Sequence, residues 1–348
     1  MSFWKDLKKP IFALAPMEDV TDCAFREMFA KYGKPDVLFT EFVSTDGLMH
    51  EEGRKKLSVD LQFTKIQRPI VAQIWGADPE KYYQVAQYLA QLGFDGIDIN
   101  MGCPQSKEIG VGACAALIRN PKLAAQIINA TQKGAGKLSV SVKTRIGYSK
   151  PEEMEEWIKY VLDTGIEALT LHGRTKKEMS KVPAHWDRIA DAVKFRDRGG
   201  YKTLVLGNGD VKSREEGLER IAETGVDGVM IGRGAFGNPW IFGQLGGENE
   251  SVIPEATRGY PESMDPGSKS GMTHPTVEER LRVMLEHTQL FESMYTGVKS
   301  FAIMRKHFKA YASGFPGAQE LRMKLMETKN YEETKKIVEE YLSNKESV

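Results

Sequence analysis

The sequence predicts an α/β protein: a (β/α)8 TIM barrel followed by a small C-terminal helical bundle. Three observations carry that prediction. Eight short β-branched runs start about 25 to 43 residues apart, room for one helix and two loops each. The runs are nearly continuous in apolar residues, as strands of a parallel sheet covered on both faces must be. Beyond a Gly/Pro-rich stretch the pattern changes to amphipathic helices alone.

The eight runs are 11–16 (IFALAP), 37–42 (VLFTEF), 70–75 (IVAQIW), 96–101 (GIDINM), 139–145 (SVSVKTR), 168–173 (ALTLHG), 203–209 (TLVLGNG) and 228–234 (GVMIGRG). Helix starts fill the gaps. Asp78-Pro79 and Asn120-Pro121 each pair an N-cap residue with proline at the first helical position. Ser213 with Glu216 reads as a capping box. Eight such units in about 240 residues fit a closed barrel better than an open doubly wound sheet, which is the competing arrangement. Residues 246–275 hold five glycines and four prolines with no apolar period, and read as a linker or insertion. Thr276 and Glu279 then form a capping box for a helix to Tyr295, with more helices expected at about 298–312, 317–328 and 331–344. The expected division is a barrel over 1–245, the linker, and a helical domain over 276–348.

The bulk composition narrows the function. With 41% hydrophobic and 28% charged residues, the 348-residue chain has the make-up of an ordinary globular protein. No apolar run approaches the roughly 18 residues of a membrane span, and the N-terminus has no apolar signal core, so a cytoplasmic location is expected. Three cysteines, Cys23, Cys103 and Cys114, form no CxxC pair or zinc-like spacing. Basic and acidic residues balance at 48 each, so a nucleic-acid partner would have to meet a local basic surface.

Barrel chemistry sits at the C-terminal strand ends. Here those ends deliver Pro16-Met17-Glu18, Glu41, Gln73, Asn100 with Cys103, Lys143 with Arg145, His172, Asn208-Gly209-Asp210, and Gly232-Arg233-Gly234. The two glycine-rich ends on the last strands suit a phosphate, with Arg233 as a charged fork. Lys143, on a lumen-facing position, needs an anion or a cofactor oxygen, and the N1/O2 edge of a flavin would serve. Pairing with Asp98 or Glu41 across the barrel is the other possibility. Gln73 suits the pyrimidine edge of the same ring or the loop backbone. His172 suits a donor role or a satisfied core position. Gly102 and Pro104 set a tight turn that points the Cys103 thiol over the barrel mouth. A neutral thiol there can protonate a carbon that has just received hydride. Nucleophilic catalysis is the competing role, but no histidine adjoins Cys103 in sequence. Cys23 and Cys114 read as small buried hydrophobes.

These residues, in this order, resemble the dihydrouridine synthase family of flavoenzymes. The matching segments are APMEDVTD from Ala15, VAQI from Val71, GIDINMGCP from Gly96, VKTR from Val142, LHGRT from Leu171, GNGD from Gly207, IGRG from Ile231 and GNPW from Gly237. In the last third, Arg305-Lys-His and Gly314-Phe-Pro-Gly-Ala look like the family's helical domain. The resemblance implies FMN held by Pro16, Met17, Glu18, Gln73, Lys143, His172, Asn208, Gly209, Asp210, Gly232 and Arg233. It implies NADPH or NADH as reductant, hydride transfer to C6 of a uridine in tRNA, and Cys103 as proton donor to C5. It places Asn100 and Arg145 on the uracil, with no membrane and no obligate protein partner. The target base must leave its stack to react. Lys107, Lys176, Lys177 and Lys181, with Arg305, Lys306 and Lys309, offer a backbone-binding stripe. Ser180 stands where many members carry an aromatic residue, and Gly110-Val-Gly-Ala-Cys-Ala-Ala-Leu varies the family's glycine-rich lid. Two other readings fit part of the pattern: a dihydroorotate dehydrogenase-like reductase of a free pyrimidine, and a non-catalytic RNA-binding protein.

Overall fold

A computed structural model of the chain describes residues 2–243 and 275–346. The expected linker, 246–275, lies almost wholly outside the described residues. Nine parallel strands form one sheet: β1 (Ile11–Leu14), β2 (Leu38–Phe39), β3 (Val43–Ser44), β4 (Ile70–Trp75), β5 (Gly96–Met101), β6 (Ser139–Arg145), β7 (Ala168–His172), β8 (Leu204–Asn208) and β9 (Gly228–Ile231). The sheet order is β1-β9-β8-β7-β6-β5-β4-β2, and a parallel bridge between Ala13 and Val37 closes the ring. The closed barrel stands, and the open sheet is excluded.

The second expected run is broken. Instead of one strand over 37–42, β2 and β3 both pair with β4. The cause is Thr40, whose hydroxyl accepts the Gln73 amide at 3.1 Å and donates to the Glu41 carbonyl at 2.8 Å, replacing backbone pairing there. Four other runs end one to three residues early, near a glycine or proline that leaves the ladder.

The helix starts follow the capping residues. Asp78 accepts from the Glu80 amide at 3.0 Å and opens Pro79–Gln91; Asn120 accepts from Leu123 at 3.3 Å and opens Pro121–Ala135. The Thr276–Glu279 capping box is complete and starts Val277–Tyr295. Ser213 caps Arg214–Thr224, but the Glu216 carboxylate accepts from the Lys212 amide at 2.7 Å, one residue too early for a capping box. The remaining C-terminal helices are Met304–Tyr311, Ala318–Met326 and Tyr331–Glu346, the first shorter than expected because Phe301–Ile303 is a separate 3-10 turn.

Strand alternation divides the barrel. Phe12, Leu14, Ile74, Ile97 and Ile99 pack outward against the helices, while Ile11, Ala13, Phe39, Val71, Leu206 and Met230 fill the lumen. Above this apolar floor, the inward positions of β4 to β8 become polar: Gln73, Asp98, Asn100, Ser141, Lys143 and Asn208. The C-terminal helices form another core with Cys23, Ala24 and Met28 of Cys23–Tyr32, so the bundle packs on the barrel's first helix. Lys299 crosses this junction to pair with Glu41 and Asp60, each at 2.7 Å.

Candidate active site

A cleft of about 660 Å³ opens at the C-terminal ends of the strands. It brings together Pro16, Met17, Lys143, Arg145, His172, Asn208, Gly209, Asp210, Gly232 and Arg233. Glu18 is exposed and is not part of its lining, while Gln73 and Asn100 lie buried beside it. Arg174, Met179, Ser180 and Lys212 also line the cleft, positions for which periodicity gave no signal. Lys143, Arg145, Arg174, Lys212 and Arg233 face one acidic side chain, Asp210, so the cleft is cationic in a chain of zero net charge.

Cys103 is held by its own strand. Asn100, the inward residue near the end of β5, accepts from the amides of Gly102 at 3.0 Å and Cys103 at 2.9 Å. Gly102 presses this turn onto β6, where a Cβ would meet Thr144 Cα at 3.3 Å. Arg145 clamps the turn from the other side: Nε donates to the Gly102 carbonyl at 2.7 Å. Its Nη1 donates to the carbonyls of Thr175 and Met179, both at 3.2 Å. Asn100 and Arg145, expected on the substrate, are thus both occupied in shaping the loops around Cys103.

The Cys103 carbonyl accepts from the Ala115 amide at 3.3 Å, which brings the lid segment against it. Cys114 is buried with φ +53°, and its thiol faces that of Cys103. The neighbouring Cys114 thiol lowers the pKa of Cys103 from its ordinary value, against the opposing effect of burial. The pKa of Cys114 is raised by the same contact and by burial.

Lys143 is half-buried and donates to Asn208 Oδ1 at 3.2 Å. Neither Asp98 nor Glu41 pairs with it; Glu41 is taken by Lys299. Burial, with Arg145 nearby, lowers Lys143 to about 8. Asn208 is fixed in turn by its bond to the Met230 carbonyl at 2.8 Å. A cation whose one hydrogen-bond partner among the described residues is a neutral amide fits an electron-rich ring edge or an anion.

The β8 end is a braced anion cradle. Gly209 has φ +132°, which only glycine adopts readily, and a Cβ there would meet Ala184 Cβ at 2.7 Å. The Asp210 carboxylate accepts from the Ala184 amide at 2.8 Å, pairs with buried Arg174, and reaches Arg233 at 3.4 Å. It can therefore hold cations in place but would repel a phosphate. Arg233 is 68% exposed along its side chain, so its guanidinium, paired with Asp210 through one nitrogen, is open to a ligand. Arg174 Nη1 lies 3.3 Å from His172 Nε2. An arginine only donates, so Nε2 accepts and Nδ1 carries the proton. Burial, then Lys143, Arg145, Arg174 and Arg233, pushes His172 well below its ordinary pKa, leaving a neutral imidazole.

The glycine cradle, the flanking cations and the Lys143 position all fit a flavin mononucleotide. Of the basic stripe, Lys306 donates to the Asp19 carbonyl at 2.7 Å and so belongs to the barrel–bundle junction, while Lys176 stacks over Tyr148. No helix among the described residues is long and apolar enough to cross a membrane.

Comparison with known proteins agrees with this geometry. The chain is 40% identical over 341 residues to a probable tRNA-dihydrouridine synthase of Staphylococcus aureus strain MRSA252, covering 98% of this chain and 95% of the relative. It is 39% identical to the probable tRNA-dihydrouridine synthase 2 of Bacillus subtilis strain 168, covering 98% and 96%. Among solved structures, histamine dehydrogenase from Rhizobium sp. 4-9 superposes with a TM-score of 0.50 at 12% identity, over 67% of this chain and 45% of that one, a likeness of fold alone. The family model described as Dihydrouridine synthase (Dus) matches residues 13–346, and the chain belongs to that family.

Proposed function

We propose that the protein is a cytoplasmic, FMN-dependent oxidoreductase that reduces uridine in tRNA to 5,6-dihydrouridine. The observation that carries this reading is the Cys103 turn, fixed by Asn100 and Arg145 at the edge of a cationic cleft. Bound in that cleft and reduced by NADPH or NADH, a flavin would supply hydride to C6 of the uracil ring.

The chain's own residues do the rest. Gly209, Gly232 and Arg233 receive the flavin phosphate, and Asp210 holds Arg174 and Arg233 in place. Lys143 would meet the pyrimidine edge of the flavin, where positive charge stabilises the electron-rich ring. Neutral His172 offers its Nδ1 proton as a hydrogen-bond donor. Cys103 gives its thiol proton to C5 of the base, and the contact with Cys114 stabilises the thiolate left behind. The five cations around the cleft supply the local charge that an RNA backbone needs. The relatives' printed names and this cleft together favour tRNA over a free pyrimidine.

The test is to map dihydrouridine in tRNA from a strain lacking the gene and to record the purified protein's visible spectrum. Loss of dihydrouridine at defined positions and a flavin spectrum are expected. A colourless protein, or unchanged tRNA, would overturn the proposal.

A further inference from the structure

Beneath Cys103 runs a chain of hydrogen bonds that begins at Asp98, a residue with no part in the reading above. Asp98 is 1% exposed in the barrel lumen. Its Oδ1 accepts from Ser141 Oγ at 2.6 Å and its Oδ2 from Gln73 Nε2 at 2.7 Å. Gln73, fully buried, accepts at Oε1 from Asn100 Nδ2 at 3.1 Å. Asn100 Oδ1 then accepts from the Gly102 and Cys103 amides at 3.0 and 2.9 Å.

Each carboxamide in this chain has two ends of nearly equal shape, and only its partners decide which way it points. The partners here leave one choice. A backbone N–H can only donate, so Asn100 must turn its oxygen to Cys103 and its NH2 to Gln73. Gln73 must then turn its NH2 to Asp98, which accepts because an ionised carboxylate has no proton to give. Reversing either amide sets NH2 against N–H at one end or carbonyl against carboxylate at the other. A buried donor or acceptor left unpaired in this way is destabilising.

We propose that Asp98 is a positioning residue whose carboxylate, through Gln73 and Asn100, anchors the far end of the amide chain that holds the Cys103 turn. It rests on Cys103 being the proton donor. The groups around the carboxylate are Ser141, Gln73 and, more distantly, Lys143, whose charge favours the ionised form. Burial nevertheless raises Asp98 to about 6. Once protonated, Asp98 no longer offers Gln73 a charged acceptor, and the brace on Asn100 weakens, although the Gly102 and Cys103 amides still fix its oxygen.

Asp98→Asn keeps size and removes the charge, so the chain loses its ionic anchor and Gln73 its charged acceptor. In the flavin-loaded Asp98→Asn enzyme, flavin reduction by NADPH should stay close to the wild-type rate. Uridine reduction should slow by about tenfold, and alkylation of Cys103 by iodoacetamide should slow by about threefold at neutral pH. A second arm uses Ser141→Ala, which keeps the carboxylate but withdraws one of its hydrogen bonds. In wild-type enzyme the uridine step should weaken as pH falls through about 6; in Ser141→Ala that break should move upward. Wild-type alkylation in Asp98→Asn, or a break that stays put in Ser141→Ala, would overturn the inference. The alkylation readout reports the thiol itself. Failure here therefore differs from failure of the proton-donor reading, in which Cys103→Ala would go on reducing uridine.

Discussion

Asn100 Oδ1 sits 2.9 Å from the Cys103 amide and 3.0 Å from that of Gly102, so one side chain near the end of β5 folds the turn that carries the reactive thiol. Asn100→Ala removes the acceptor and leaves two amides unpaired. The expected loss is about 1–3 kcal/mol of stability, with uridine reduction falling roughly a hundredfold because the thiol is misplaced. Thermal melting and single-turnover rates check both. A variant that melts normally and turns over normally would show that the turn holds itself.

Cys114 contributes a hydrogen bond to the thiol it faces. Cys114→Ala should raise the pH midpoint of Cys103 alkylation, because the thiolate loses its donor, whereas Cys114→Ser should keep much of the effect. The measurement is alkylation rate against pH. Equal midpoints in wild type and Cys114→Ala would mean the contact has no electrostatic consequence.

The proposed contact of Lys143 with the flavin predicts a link between binding and pH. Burial lowers it to about 8 from an ordinary 10.5, and an electron-rich ligand beside it raises it again. FMN should therefore bind best below about pH 8 and more weakly as pH rises through that value. In the flavin-free protein the sign is opposite. Between about 8 and 10.5 the unfolded chain holds a proton that the folded one has released, so stability rises with pH. Lys143→Met should weaken FMN binding by about tenfold or more while raising the melting temperature of the flavin-free protein. Fluorescence titration of FMN from pH 6 to about 9 gives the first, calorimetry the second.

Lys299 pins the bundle to the barrel mouth through Glu41 and Asp60, at 2.7 Å from each. Glu41 is raised to about 7, chiefly by burial, with Lys299 opposing. A carboxyl whose folded pKa exceeds its unfolded value gives up stability as pH rises, here from about 4.5 through 7. Lys299→Met leaves that carboxylate unpaired. The variant should lose about 3 kcal/mol near pH 8 and distinctly less near pH 5.5, where Glu41 takes up a proton. Denaturant melts at the two pH values decide it; a pH-independent loss would mean that packing rather than charge holds the junction.

Much of this architecture was legible in the chain. Strand runs and helix caps are local codes, and Asp78, Asn120 and Thr276 each cap the helix expected of them. The run at 37–42 was not legible, because its break depends on Thr40 offering its hydroxyl to the Gln73 amide, a contact between distant segments. The site shows the same division. Lys143 and the Gly209 and Gly232 turns sit at strand ends that sequence spacing marks. Arg174, which fixes His172, and Cys114, which faces Cys103, depend on loops folding back over the mouth. Asn100 and Arg145 were recognisable as site residues, yet their bonds to the Cys103 turn could only be read in three dimensions.

The central claim is that Cys103 protonates the reduced base, and one measurement tests it most directly. Cys103→Ala, purified with its flavin, is mixed first with NADPH and then with tRNA lacking dihydrouridine, while flavin absorbance is followed. The account predicts normal flavin reduction by NADPH and almost no reoxidation by the tRNA. Reoxidation at the wild-type rate, with dihydrouridine formed, would contradict it.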